Sequence, residues 1–153
     1  MKLSSFLLAL SLTGCTSISA KNEETQIPVF PRMTFNSDIL LTARLSGTFE
    51  QRGKCLVIAN DDGGFATPYW PKQSILGKDA KGYFVKDAPS GEVIHVGDFI
   101  TGGGGQAFKK DDGAERLKEI NAIVTPDIPP ECSENIVSIH SFRKTQKWYV
   151  GQD

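Results

Sequence analysis

From residue 39 to residue 50 apolar and polar positions alternate. Ile39, Leu41, Ala43, Leu45 and Phe49 take one set of positions, and Leu40, Thr42, Arg44, Ser46, Thr48 and Glu50 take the other. Successive side chains of a strand point to opposite faces, so this pattern predicts a half-buried strand with Gly47 as a bulge or bend. Gln51-Arg52-Gly53 makes a turn, and Lys54-Cys55-Leu56-Val57-Ile58-Ala59 reads as a second strand, apolar on both sides. Asn60-Asp61-Asp62-Gly63-Gly64 is strong turn chemistry, and residues 65–70 form a third strand halted by Pro71. Residues 82–87 and 92–96 pair as a hairpin around Ala88-Pro89-Ser90-Gly91. A further strand starts at Asp98 and ends where Thr101 meets four consecutive glycines.

The period changes between residues 112 and 122. Asp112 can cap a helix, and Leu117, Ile120 and Ile123 succeed it at helical spacing, which predicts one short helix. Pro126, Pro129 and Pro130 then make a rigid connection to Cys132. Residues 136–142 and 147–150 form a last pair of strands around Arg143-Lys144-Thr145-Gln146. Six or seven short strands with turns every 8–12 residues and one minor helix predict an all-β domain, a small OB-like Greek-key barrel over residues 36–153.

The N-terminal end has a different character. Met1-Lys2 opens a short apolar run that closes on Leu12-Thr13-Gly14-Cys15. A membrane span needs about 20 apolar residues, so this run is too short to cross a bilayer and reads as a secretory signal. Leu12-Thr13-Gly14-Cys15 resembles the lipobox of bacterial lipoproteins. That resemblance implies removal of residues 1–14, acylation of Cys15, and membrane affinity supplied by the acyl chains. Thr16 is not aspartate, and by resemblance to enterobacterial lipoproteins this implies the outer membrane, with the domain facing the periplasm. Residues 15–35 are polar and punctuated by Pro28 and Pro31, which predicts a flexible tether, at least as far as Gln26. Docking of Val29-Phe30 as a first short strand is the alternative.

Export changes the meaning of the cysteines. With Cys15 acylated, Cys55 and Cys132 remain as an even pair, and an oxidising compartment favours a disulfide. Two buried thiols or half of a metal site are the rival readings. Neither cysteine lies in a Cys-x-x-Cys or Cys-x-x-His pair, which gives the metal little support. The formal net charge of −1 shows no basic excess, arguing against a nucleic-acid partner.

Few residues carry recognisable chemistry. The glycine run from Gly102 to Gly105 is succeeded by Gln106-Ala107-Phe108, without the Gly-Lys-Ser/Thr of a phosphate loop. It predicts a strand end where backbones approach closely and φ turns positive. Asp61-Asp62-Gly63-Gly64 lacks the alternating carboxylates of a calcium loop, and no Gly-x-Ser-x-Gly elbow is present. No catalytic residue, metal ligand or cofactor is assigned on this basis.

The two histidines are placed by strand alternation. His95 shares a face with Val93, and His140 shares one with Ile136, Ser138 and Phe142, opposite Val137 and Ile139. Both positions fit an outward or rim setting. A small periplasmic hydrolase or metal-dependent enzyme is the alternative that would use them, and it requires His95, His140 and an aspartate to converge within about 4 Å. Tyr69-Trp70 and Trp148-Tyr149 put both tryptophans beside tyrosines near strand ends. They suit stacking on a sugar or peptide group at a barrel mouth, or plugging the barrel with their polar tips at its rim.

Cys55-Leu56-Val57-Ile58, Tyr69-Trp70-Pro71, Val96-Gly97-Asp98, the glycine run and Trp148-Tyr149-Val150-Gly151 together resemble a pattern in small exported bacterial β-barrel proteins. The likeness spans roughly residues 40–150 and implies a fold rather than an activity. Residues 133–142 depart from it as an insertion. The resulting expectation is a lipid-anchored, non-enzymatic binding or assembly module that engages an envelope protein or glycan. A purely structural lipoprotein is the remaining alternative.

Overall fold

The computed structural model of the chain describes residues 26–37, 43–88 and 90–147. Five strands close a barrel: β2 (Ala43–Arg52), β3 (Cys55–Ala59), β4 (Phe65–Tyr69), β8 (Phe99–Lys109) and β10 (Asn135–Lys144). Their order around the barrel is β10-β4-β3-β2-β8, with β8 returning to β10. All neighbours are antiparallel except β10 and β4, which run parallel. One parallel pair, between the third and fifth barrel strands, gives the five-stranded OB-like Greek key.

The other strands decorate this barrel. β5 (Ile75–Asp79), β6 (Gly82–Lys86) and β7 (Val93–His95) form an antiparallel meander between β4 and β8. It buries Val85 and Ile94 in the same core as the barrel interior. Two short strands, β1 (Arg32–Met33) and β9 (Val124–Thr125), pair antiparallel outside the barrel. Between β8 and β10 lie a 3-10 turn at Lys110–Asp112, the helix α1 (Ala114–Asn121), β9 and a second 3-10 turn at Pro130–Cys132.

This layout explains the two kinds of strand. The odd-numbered β2 residues Leu45 and Phe49 face inward, so β2 alternates. Every residue of β3 is buried. Leu56 and Ile58 face the barrel interior, whereas Cys55 and Val57 face the segment that packs over the outside. A strand covered on both faces needs apolar residues on both.

Several local expectations change. The strand that starts near residue 98 does not stop at the glycines: β8 runs through all four, and none of them has positive φ. Close approach is the reason for glycine at two of them. A Cβ on Gly104 would collide with the Ser138 carbonyl oxygen and lie 2.6 Å from Leu45 Cδ1, and one on Gly102 would collide with the Ser141 carbonyl oxygen. Gly47 is likewise a close approach rather than a bulge. Its pairing with Ile100 continues without a shift, and a Cβ there would lie 2.6 Å from the Ala59 oxygen.

The bulge falls instead in β10, where the register to β8 slips between Ile139 and Ser141. The extra residue, His140, reverses the phase of the rest of the strand. Phe142 therefore points into the core with Val137 and Ile139, not outward with His140. Arg143 and Lys144, expected in a turn, continue β10 and pair with Thr101 and Ile100. Asp112 does not cap α1. Its carboxylate accepts from the Lys109 amide, and Gly113 occupies the N-cap.

The folded part also takes in the segment expected to end the tether. Val29 bridges to Cys55 and Arg32 to Trp70, while Phe30 and Met33 are buried in the two halves of the core.

Candidate functional site

The aromatic pairs sit differently from a ligand-stacking platform. Trp70, at the end of β4, is wholly buried. Phe49 and Phe142 meet its ring edge-on at centroid distances of 5.6 and 5.2 Å, and Phe30 lies 5.7 Å away. This is the plug of the barrel, and it offers no ring face to a ligand. Its Nε1, expected at a polar rim, finds no acceptor within the protein. Tyr69 is also buried, on the outer face of the barrel, beside its register partner Ser138. Burial pushes its phenol above the ordinary value, against the hydrogen bond with Ser138 and the positive charge of Arg116. Trp148, Tyr149 and Cys15 lie outside the described residues.

The face that OB folds commonly use for oligomeric ligands is covered by the protein itself. That face belongs to the second and third barrel strands, here β3 and β4. Val57 and Tyr69 on it pack with Phe108, Ile120, Val124 and Ile128 in a second core. The Cys55–Cys132 disulfide, with 5.5 Å between Cα atoms, ties the covering segment to the start of β3. Asn121 reinforces it by exchanging two hydrogen bonds with the Ile128 backbone. Lys54 and Glu131 form an ion pair beside the disulfide at 2.6 Å, which holds the Glu131 carboxyl below its ordinary range.

Open space lies elsewhere. A cleft of about 410 Å³ enters the barrel beside the β3–β4 turn. Leu45, Ile58, Ala66 and Val137 give it an apolar floor continuous with the barrel core, while Arg44, Asn60 and Lys147 stand at its polar rim. Lys147 is paired with Asp61 across the entrance at 2.7 Å. Small-ligand sites have this volume and this division between apolar walls and a few polar groups, and barrel mouths are a common place for them. None of these residues stands out in the sequence. Only the turn motif Asn60-Asp61-Asp62-Gly63-Gly64 marks the location.

The histidines are held in separate settings. His95 Nε2 bonds the Asp79 carboxylate at 2.9 Å, and the His95 amide donates to Asp98 at 2.8 Å. The bond from His95 is the main reason the Asp79 carboxyl lies below its ordinary value. Burial alone would raise the Asp98 carboxyl, but the His95 amide and Lys144 ammonium together hold it down. His140 Nε2 is 3.4 Å from Ser138 Oγ, and burial lowers its pKa, favouring the neutral ring. Its cavity is shared with Met33, Lys72 and Asp87, none of which touches the His95 cluster. The side chains do not form the joint site that the enzyme alternative requires. Ser138 is only 1% exposed, so no substrate carbonyl can reach its hydroxyl.

Among the described residues, no group of three or more His, Cys, Asp or Glu is placed to hold a metal ion. No protein-family model, curated protein or solved structure matches this chain.

Proposed function

We propose that this protein is a lipid-anchored envelope protein whose barrel is a non-enzymatic binding module, with the cleft beside the β3–β4 turn as its receiving site. The cleft carries this reading: it joins an apolar floor to a charged rim, while the usual OB ligand face is closed by the protein's own chain. The disulfide fits an oxidising compartment, and Leu12-Thr13-Gly14-Cys15 supplies the lipobox-like anchor. An envelope protein with a protruding apolar residue, or a glycan with an apolar face, suits a receiving site of this kind.

The test has two arms. Cys15→Ser should move the protein from the membrane fraction to the soluble periplasm. A photo-crosslinking residue at Asn60 should capture a discrete envelope partner, and Ala66→Trp, which fills the cleft, should abolish that adduct. The same probe at Lys118, on the exposed side of α1, is the control. Equal labelling from both positions, or an adduct insensitive to Ala66→Trp, removes the cleft as the receiving site.

A further inference from the structure

The outer surface of β2, β8 and β10 contains a second concavity. Across these three strands, Arg44 pairs with Gly103 and Gly103 with Ser141, while in the next row Ser46 pairs with Thr101 and Thr101 with Arg143. Leu45 and Phe142 point into the core, so their neighbours Arg44 and Arg143 point outward, and both are exposed. Gly103 lies between the arginine-bearing strands and contributes no side chain. The surface dips there into a groove of about 480 Å³, walled by Arg44 and Arg143 with Thr101, Gly103 and Ser141 along its bottom.

The chemistry of this groove is one-sided. Two guanidinium groups and two hydroxyls line it, and no carboxylate does. Elsewhere on the surface Arg52 is paired with Glu50, Lys54 with Glu131 and Arg116 with Glu119. Arg143 has no such partner among the described residues. A guanidinium carries five donors, so Arg44 can keep another interaction and still present N–H groups to the groove. Ser141 Oγ accepts from the Gly103 amide at 3.3 Å, which leaves its own proton to donate outward. Planar guanidinium forks match the oxygens of a phosphate group, and side-chain-free backbone lets such a group approach the sheet.

We propose that this groove binds a phosphate group. Its carrier is either a lipid headgroup, which the membrane anchor would bring close, or a soluble phosphorylated molecule. Arg143 does not line the barrel-mouth cleft, so the site stands or falls apart from the cleft.

The experiment uses the full chain carrying Cys15→Ser, labelled with ¹⁵N and titrated with inorganic phosphate at constant ionic strength. The amides of Gly103, Ser141 and Arg143 should shift and saturate. Arg143→Gln, a change at an exposed position, should weaken binding about tenfold, the scale of one lost hydrogen bond to a charged group. Unchanged spectra away from the groove would establish that the variant remains folded. Sedimentation with vesicles then separates the sources. Phosphatidylglycerol vesicles should bind more tightly than phosphatidylcholine vesicles, in an Arg143-dependent way, if a headgroup is the ligand. Equal binding to both, with the phosphate response intact, identifies a soluble ligand. Groove amides that do not move, that move equally with chloride, or that respond alike in Arg143→Gln overturn the proposal. Shifts confined to Asn60 and Ala66 would also overturn it while leaving the cleft as a ligand site.

Discussion

Trp70 shows what a residue type can and cannot announce. A tryptophan before proline at the end of a strand is compatible with a rim position or with a plug, and alternation does not decide between them. Three rings decide it: Phe30, Phe49 and Phe142 close around the indole. Trp70→Ala should cost about 3–5 kcal/mol of unfolding free energy, measured by urea denaturation. Trp70→Phe should cost clearly less, because it keeps most of the ring contact and removes an indole N–H that has no acceptor. Phe142 departs from its expected face for a different reason. One bulged residue, His140, inverts the phase of the strand, and a bulge leaves no signature in a period-two pattern. The same residue has a pH consequence. His140 binds its proton less readily when folded than when unfolded, so stability is unaffected well above pH 6.5 and falls as pH drops below it. His140→Gln should flatten that part of a stability-versus-pH curve, and an unchanged slope would remove His140 as its cause.

Elements differ in legibility according to how much periodic sequence they contain. β2, β3, β4 and the β6–β7 hairpin are readable because apolar positions recur between strong turn signals. β1 and β9 have two residues each and cannot display a period. β5 hides for another reason: Gly77 interrupts it, and the Phe84 ring from β6 fills the place its side chain would take. The cleft and the phosphate groove are less legible still, since each joins residues from strands far apart in sequence. The glycine strand itself makes a sharp prediction. Gly104→Ala places a Cβ against the Ser138 oxygen and the Leu45 methyl, and should destabilise the barrel by about 1–3 kcal/mol in the same denaturation assay.

The covering segment is an element-scale device too. α1 buries only Ile120 fully, so the segment depends on its tie to β3. The disulfide spans a sequence separation of 77, and in the chain-entropy account its reduction costs roughly 4 kcal/mol. Hydrogen exchange after reduction should show the amides of α1 losing protection before those of β3. Simultaneous loss in both would mean that the segment and barrel unfold as one unit.

For the whole molecule, the meander and the covering segment close different parts of one barrel and leave the cleft and groove open. The meander is joined to the barrel by apolar burial at Val85 and Ile94 and by a polar junction at the end of β10. There the Lys144 ammonium pairs with Asp98, its amide donates to Glu92, and Asp98 also accepts from the His95 amide. Asp98 thus links β7, the start of β8 and the end of β10. Its carboxyl is held below the ordinary value in the folded protein, so its stabilising contribution is full above the unfolded carboxylate range. The contribution is lost as pH falls through the lowered folded value. Asp98→Asn should therefore cost about 1 kcal/mol at neutral pH, allowing for solvent screening around Lys144, and the difference from the native protein should vanish in acid. Urea midpoints of the two proteins across that range give the comparison. A difference that persisted at the acid end would assign the loss to altered packing, and the meander would then be held by Val85 and Ile94 alone.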